Sequence, residues 1–323
     1  TSHAVTNTGN SNLQPDWIWV KIRTGQNDDH ILVDSSRGNL KRLKSNQNYS
    51  EPSDAAEIKS FDSNGFTLGT TDGTSNYNGF TYVAWQWKAN GGTTSSNTDG
   101  SITTTVQANT TAGFSIVTYT GNATNGATIG HGLGAVPQVI IKKNRSSNSR
   151  EWNVYHHSIG NTKSLFLNTS EAETTESAYN NTSPTSSIQT INGSGANNGD
   201  GDNMIAYFFT PIKGYSKFGS YKGNGNANGA FVYLGFKPKF VIGKAASRVD
   251  AWFMHDTTRS TFNPVDDRLM PHLNYAEGAE YDIDFLSNGY KIRDSEAQIN
   301  GDGETYVYLA FAENPFVSSK GVP

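Results

Sequence analysis

A chain of 323 residues has room for two or three ordinary domains, each able to bury its own core. Its apolar fraction is low at 34% while aromatics reach 11% amid abundant Gly, Asn, Ser and Thr, a mixture that favours short strands joined by polar turns over helices. A net charge of −4 supplies no basic field for nucleic acid, the absence of cysteine removes disulfides, thiolate zinc sites and thiol catalysis, and no apolar run approaches the ~18 to 20 residues that a membrane-spanning helix needs.

The chain opens Thr1-Ser2-His3 without an initiator Met or a signal-like apolar run, which reads as a processed or trimmed end. The first firm element is Pro15-Asp16-Trp17-Ile18-Trp19-Val20-Lys21. Its proline sits where a missing N–H costs least, and the apolar run fits a strand buried on both faces. Phe61-Asp62-Ser63-Asn64-Gly65-Phe66-Thr67-Leu68 predicts a tight hairpin, because Asn and Gly tolerate positive φ. Tyr82-Val83-Ala84-Trp85-Gln86-Trp87 reads as a strand. Residues 90–112, rich in Gly, Thr, Ser and Asn, predict a linker or a surface-hugging connection.

Beyond it, Pro137-Gln138-Val139-Ile140-Ile141-Lys142-Lys143 and Met204-Ile205-Ala206-Tyr207-Phe208-Phe209 read as strands, and so do Pro238-Lys239-Phe240-Val241-Ile242-Gly243-Lys244 and Val307-Tyr308-Leu309-Ala310-Phe311-Ala312. Phe285-Leu286-Ser287-Asn288-Gly289-Tyr290-Lys291-Ile292 repeats the hairpin signal. Helix signal is sparse, with short turns expected at residues 171–179 and 275–280.

These elements recur. Three blocks open on a proline with a lysine six positions later, and three aromatic-rich strands close the copies. With Ala84, Ala206 and Leu309 in register, the spacings between closing strands nearly match those between Pro15, Pro137 and Pro238. Asn198-Gly199-Asp200-Gly201-Asp202 is answered by Asn300-Gly301-Asp302-Gly303-Glu304, and Gly113-Phe114-Ser115 by Gly214-Tyr215-Ser216. The first copy keeps only a remnant of that opening. The expected fold is therefore all-β, three tandem diverged β-sandwich or jelly-roll-like units. The division is 1–92 for an incomplete first unit, 93–112 for the connection, 113–213 and 214–316 for the second and third units, and 317–323 for a tail.

No G-x-S-x-G elbow, H-E-x-x-H pair or phosphate loop is present, so the chain reads as non-enzymatic. His156-His157 is a pair whose rings should diverge on a strand, which argues against a shared metal. These two and His255 read as structural or surface groups. Asp28-Asp29, Asp266-Asp267 and Asp282 with Asp284 can each be half of a glycosidase pair, with surface or turn-capping roles the default. Asp200, Asp202, Asp302 and Glu304 offer oxygen ligands to Ca²⁺ without completing an EF-hand, and the plainer reading is a polar turn capping the strand beside it. Trp17, Trp19, Trp85, Trp87, Trp152 and Trp252 all lie in strand-like blocks and read as core or inter-subunit packing, with a glycan groove the functional alternative. Asn109, Asn122 and Asn181 head glycosylation sequons, which matter only in a host that glycosylates.

The blocks His131-Gly132-Leu133-Gly134-Ala135-Val136-Pro137 through Lys143, Gly214-Tyr215-Ser216-Lys217-Phe218-Gly219-Ser220-Tyr221-Lys222-Gly223-Asn224-Gly225, Asp284 through Arg293, and Tyr308-Leu309-Ala310-Phe311-Ala312-Glu313-Asn314-Pro315-Phe316 resemble a repeat module of virion proteins from marine bacteriophages and cyanophages. The resemblance covers nearly the whole chain and is closest in the last two copies. It implies a virion-surface, extracellular location, often in tail fibres, and no catalytic residues. It leaves three expectations: a receptor-binding appendage, associating as a homo-oligomer with a trimer favoured, that contacts other virion proteins and host surface glycan; a capsid-decorating or filament-forming structural subunit; or a glycan-degrading virion enzyme.

Overall fold

The computed structural model describes residues 2–9, 11–52, 57–69 and 74–315. Its first third holds β1 (His3–Thr6), β2 (Trp17–Ile22), β3 (Ile31–Asp34), β4 (Arg42–Leu43), β5 (Ile58–Asp62), β6 (Gly65–Leu68) and β7 (Tyr82–Trp87), in two antiparallel sheets ordered β4-β3-β2-β7 and β1-β6-β5. The middle holds β8 (Ser95–Asn97), β9 (Thr104–Asn109), β10 (Phe114–Thr120), β11 (Ala127–Gly130), β12 (Val139–Asn144), β13 (Asn153–His156), β14 (Lys163–Phe166), β15 (Thr174–Thr175), β16 (Ile188–Ile191), α1 (Gly195–Asn198) and β17 (Asn203–Phe209). Its sheets run β15-β14-β13-β12-β17-β10-β9-β8 and β11-β16. The last third holds β18 (Ser216–Lys222), β19 (Phe231–Tyr233), β20 (Pro238–Ala245), β21 (Trp252–Asp256), β22 (Val265–Arg268), β23 (Gly278–Leu286), β24 (Gly289–Ile292), α2 (Ala297–Asn300) and β25 (Thr305–Ala312), in sheets β18-β25-β20-β21 and β19-β24-β23-β22. The protein is all-β, and both helices are single turns.

The proline-led block lies beside the closing strand in every third: β2 on β7, β12 on β17 and β20 on β25, all antiparallel. Opposed pairs are Trp17 with Trp87, Val139 with Phe209, and Phe240 with Phe311. One expected register is off by a residue. Ala84 and Ala206 stand opposite Val20 and Lys142, and the corresponding partner of Gly243 is Tyr308, not Leu309. A slip of one turns a side chain to the other face of the sheet. Strand β25 is buried on both faces from Tyr306 onward, so it lacks the polar alternation that would fix register from sequence.

Three further expectations are corrected. The stretch 93–112 is not merely a connection, since β8 and β9 extend the middle sheet, with Ile102, Thr104 and Val106 buried in alternation and Thr serving as a β-branched strand former. Residues 171–179 carry β15 in place of a helical turn, and residues 275–280 run directly into β23. Both windows are too short to hold a helix by propensity alone, and pairing with neighbouring strands prevails.

The three larger sheets turn one face toward a shared core. It gathers Trp17, Trp19, Trp85 and Trp87 with Tyr207, Phe209, Trp152, Phe218, Phe240, Trp252 and Phe311. Their other faces cover the smaller sheets in separate clusters around Ile18 and Phe66, Val117 and Phe208, and Val241 and Tyr290. Loops lock the thirds in a cycle. The Trp152 indole N–H donates to the carbonyls of Lys44 and Gln47 at 2.9 and 3.2 Å, that of Trp252 to Phe166 at 2.9 Å, and His30 Nε2 to Met270 at 3.0 Å. The backbone N–H groups of Glu51, Glu173 and Glu277 bond the carbonyls of Arg145, Ala246 and Arg23 in the same sense. First holds second, second holds third, and third holds first.

Candidate functional site

Closing strand β17 is flanked by β12 and β10, and β25 by β20 and β18, whereas β7 pairs with β2 alone among the described residues. The carbonyls of Thr81 and Trp87 accept from Arg23 and Asp16 on the β2 side. By the alternation of an antiparallel ladder, Ala84 and Gln86 turn their N–H and C=O outward, as Ala206 and Phe208 do toward β10.

A groove of ≈ 870 Å³ follows this edge, bordered by Leu13, Gln86, Lys88, Tyr215 and the Glu313-Asn314-Pro315 segment. A smaller hollow of ≈ 290 Å³ continues it past Trp85, Trp87, Phe240 and Phe311. The floor is rigid. Trp87 packs edge-on against Phe240 and Phe311 at 6.1 and 5.8 Å, and the Trp85 indole donates to Asp256 at 3.2 Å beneath the Arg259 guanidinium. The Gln86 side chain is tied to Asn7 by two reciprocal bonds of 2.8 and 3.1 Å, and the Lys88 carbonyl accepts from Asn109. Chemically the site offers outward backbone donors and acceptors along an aromatic wall. That suits an extended polypeptide.

Asp256, the carboxylate nearest this wall, is buried and committed to Arg259 at 2.6 Å. Burial alone would raise its pKa, but the guanidinium and the N–H groups of Thr258 and Arg259 hold it below the usual carboxylate range. The same pattern recurs at Asp34 with Arg37, buried at 2.5 Å, where the Tyr207 hydroxyl also donates to Asp34. Glu51 then bridges Arg37 and Arg145, both at 2.5 Å, and Glu277 bridges Arg259 and Arg23 at 2.8 and 2.7 Å. The spelling Asp34-Ser35-Ser36-Arg37 and Asp256-Thr257-Thr258-Arg259 carries this signal in sequence. The equivalent middle positions, His156 and Ile159, do not.

The acidic residues and histidines singled out in sequence lie elsewhere. Asp202 accepts from the Asn144 amide at 2.7 Å and Glu304 from the Ser247 hydroxyl at 2.5 Å, while Asp200 and Asp302 are exposed in their turns. Among the described residues no group of three or more His, Cys, Asp or Glu side chains could hold a metal. The turns themselves are fastened by buried amides: Asn198 bonds Asn122 and Thr124, and Asn300 bonds Asn224 and Asn226. Asp29 binds Lys44, Asn46 and Gln47, and Asp28 accepts from the Asp29 N–H. Ser260 donates to Asp266, Asp267 lies 3.7 Å from Arg23, and Arg293 pairs with Asp284. Burial, with Asp294, Asp266 and Asp284 nearby, holds Asp282 above the usual range. None of these acids lines the groove.

His156 and His157 depart from expectation. Their rings stack with centroids 5.1 Å apart, because His157 lies past the end of β13, in a turn. Each donates from Nε2 to a carbonyl of the last third, Tyr308 and Phe218, both at 3.2 Å. The Nδ1 of His156 accepts from Ser158, so both of its nitrogens are engaged. Burial lowers its pKa to about 3, with His157 adding to the shift. His255 is buried too, 3.4 Å from the Glu280 carbonyl. All six tryptophans are buried within the chain, which supports the core reading made from sequence. Among the described residues no helix is long and apolar enough to cross a membrane.

Fold and site together define an all-β protein of antiparallel sheets, with three sheets packed on one aromatic core and, among the described residues, the β7 edge unpaired beside a groove. The chain belongs to the DUF7483 family, a domain of unknown function, which it matches over residues 1–315, across all three thirds. No curated protein and no solved structure matches it.

Proposed function

We propose that this chain is a non-enzymatic component of a phage virion surface, in a tail fibre or comparable attachment appendage, and that it joins a neighbouring virion protein by accepting an extended strand along β7. The observation that carries the assembly reading is the sheet order: two closing strands have a partner on the side where the third has a groove. The occupant is an extended segment with apolar side chains at alternate positions, like β10, whose Phe114 and Ile116 enter the shared core. The virion setting is supported by the sequence blocks that resemble the phage repeat module.

The test uses a synthetic peptide with the sequence of residues 114–120, read by amide hydrogen exchange on the intact chain. Protection at Ala84 and Gln86 that is absent with a scrambled peptide, and absent in Ala84→Pro, supports strand capture. Saturating peptide with no protection at β7 refutes it. Solution mass reads out self-association: three chains per particle fit the trimer usual for fibres, and one chain that binds the peptide assigns the strand to a different virion protein. A second reading, adsorption to host glycan, is favoured by the exposed Tyr77, whose ring stacks on Phe80 at 5.4 Å and 17° beside a ≈ 530 Å³ hollow. Cell binding competed by host polysaccharide and lost in Tyr77→Ala would support it.

A further inference from the structure

The middle third buries a polar cluster that its counterparts lack. Lys142 on β12 stands directly opposite Asn153 on β13. The equivalent pairs are Val20 with Ile31 and Gly243 with Phe253, both apolar, so the fold has no need of polar groups here. Lys142 and Tyr179 are fully buried and Asn153 is 2% exposed. Among the described residues the Lys142 amine has no hydrogen-bond partner, and it lies 4.8 Å from the centroid of the Tyr179 ring. An orphaned amine in a dry core costs several kcal/mol as a cation, on the order of what drives buried lysines neutral, and calls for an explanation.

Asn153 is held as an activated amide would be. The Tyr179 hydroxyl donates to its carbonyl oxygen at 2.5 Å, and its amide nitrogen donates to Glu176 Oε1 at 2.6 Å, with Ser164 Oγ as a further acceptor at 3.1 Å. Directly opposed residues on antiparallel strands have Cβ atoms ~5 Å apart, so the four-carbon lysine stem can bring its amine to the Asn153 Cγ. Burial lowers the Lys142 pKa to about 7 even though Glu176 opposes the shift, which leaves much of the amine unprotonated at neutral pH.

We propose that Lys142 and Asn153 form an intramolecular isopeptide bond, a self-generated cross-link between β12 and β13 in a chain that has no cysteine. The neutral Nζ attacks Cγ, and the Tyr179 hydroxyl stabilises the oxyanion that develops on Oδ1. One proton passes from Nζ to the Glu176 carboxylate and on to Nδ2. The Cγ–Nδ2 bond breaks, ammonia leaves, and a secondary amide remains. No oxidant, reductant or co-reactant is consumed. Tyr179 and Glu176 serve as activating groups toward Asn153, and the burial of Lys142, Asn153 and Tyr179 limits the access of water that would compete for Cγ.

The test is the intact mass of the purified, folded full chain after incubation at pH 8, measured under denaturing conditions and followed by proteolytic mapping. The expected result is a chain lighter than its sequence mass by one ammonia, with a branched peptide joining Lys142 and Asn153. Glu176→Gln, which keeps a hydrogen-bonding partner for Asn153 but cannot relay the proton, should fold and return to the sequence mass, as should Lys142→Arg. A wild-type chain at full sequence mass overturns the proposal. So does loss of ammonia without the branched peptide, which would place it in a succinimide at one of the Asn-Gly pairs.

Discussion

Glu51 and Glu277 each hold two guanidinium groups that belong to different thirds of the chain. Burial opposes the charge on Arg37, but Asp34, Tyr207 and Glu51 outweigh it and hold its pKa above the usual value. Removing one member of such a set strands a buried charge, at a cost of about 3 to 5 kcal/mol. Glu277→Ala should therefore lower the midpoint of chemical denaturation strongly. Glu173→Ala, at the corresponding place in the middle third, should lose less than about 1 kcal/mol, because Glu173 faces half-exposed Lys163 and the arginine positions are Ala246 and Ile159. Equal losses would count against a buried latch at two of the three junctions.

Buried histidines contribute to the response to acid. Burial holds His156 and His255 at about 3 and His272 at about 4. Arg259 and Arg268 depress His255 further, while the Glu280 carbonyl and Asp256 oppose them. The unfolded chain takes up these protons near pH 6.5, long before the folded one does. Stability from this source is complete above pH 6.5 and is lost as the pH falls from there toward 3. His255→Phe, which replaces the ring by an apolar one, should flatten the stability profile across that window in denaturation series at fixed ionic strength. An unchanged slope would remove His255 from the account.

At the scale of elements, the two hairpins were legible in position but not in turn chemistry: the two-residue loops are Ser63-Asn64 and Ser287-Asn288, and of the two Asn-Gly pairs only Gly65 takes a positive φ. Strands β5 and β6 close through Asp62 opposite Gly65, and β23 and β24 through Leu286 opposite Gly289. The sheet supplies the reason for glycine at Gly289, and a second one at Gly65, whose φ is 128°. A Cβ at Gly65 would stand 2.0 Å from the Val5 carbonyl oxygen, and one at Gly289 2.1 Å from that of Val232, where β1 and β19 pair against them. Gly289→Ala must push β19 aside and should cost about 1 to 3 kcal/mol, a thermal shift readable by calorimetry. The strands of residues 93–112 were not legible. Their side chains are polar Thr and Ser on the outer face, and the sheet to which they add is assembled from residues far along the chain.

For the whole molecule, the decisive feature is that the three larger sheets share one core. Phe218, Phe240, Trp252 and Phe311 are covered by residues of the other thirds, and so are Trp85 and Trp87. A fragment of residues 214–315 would leave that face in water, and burying each such ring is worth roughly 1.5 to 3 kcal/mol. The intact chain should unfold in one cooperative transition, and the isolated fragment should bind a hydrophobic dye or aggregate. Three separable transitions would show the thirds to be independent domains.

The sequence by itself determined the all-β class, the three proline-led strands and their closing partners, and the positions of the tight hairpins. Each follows from local rules: β-branched and aromatic runs, proline and glycine geometry, and recurrence of spacing. The tertiary structure alone decided the register of β25, the cyclic locking of the thirds, the bridging roles of Glu51 and Glu277, and the facing of Lys142 with Asn153 beside Tyr179. These depend on which faces of distant strands meet. A run that is apolar on both sides, or a lone charged residue within one, carries no mark of the partner it will face.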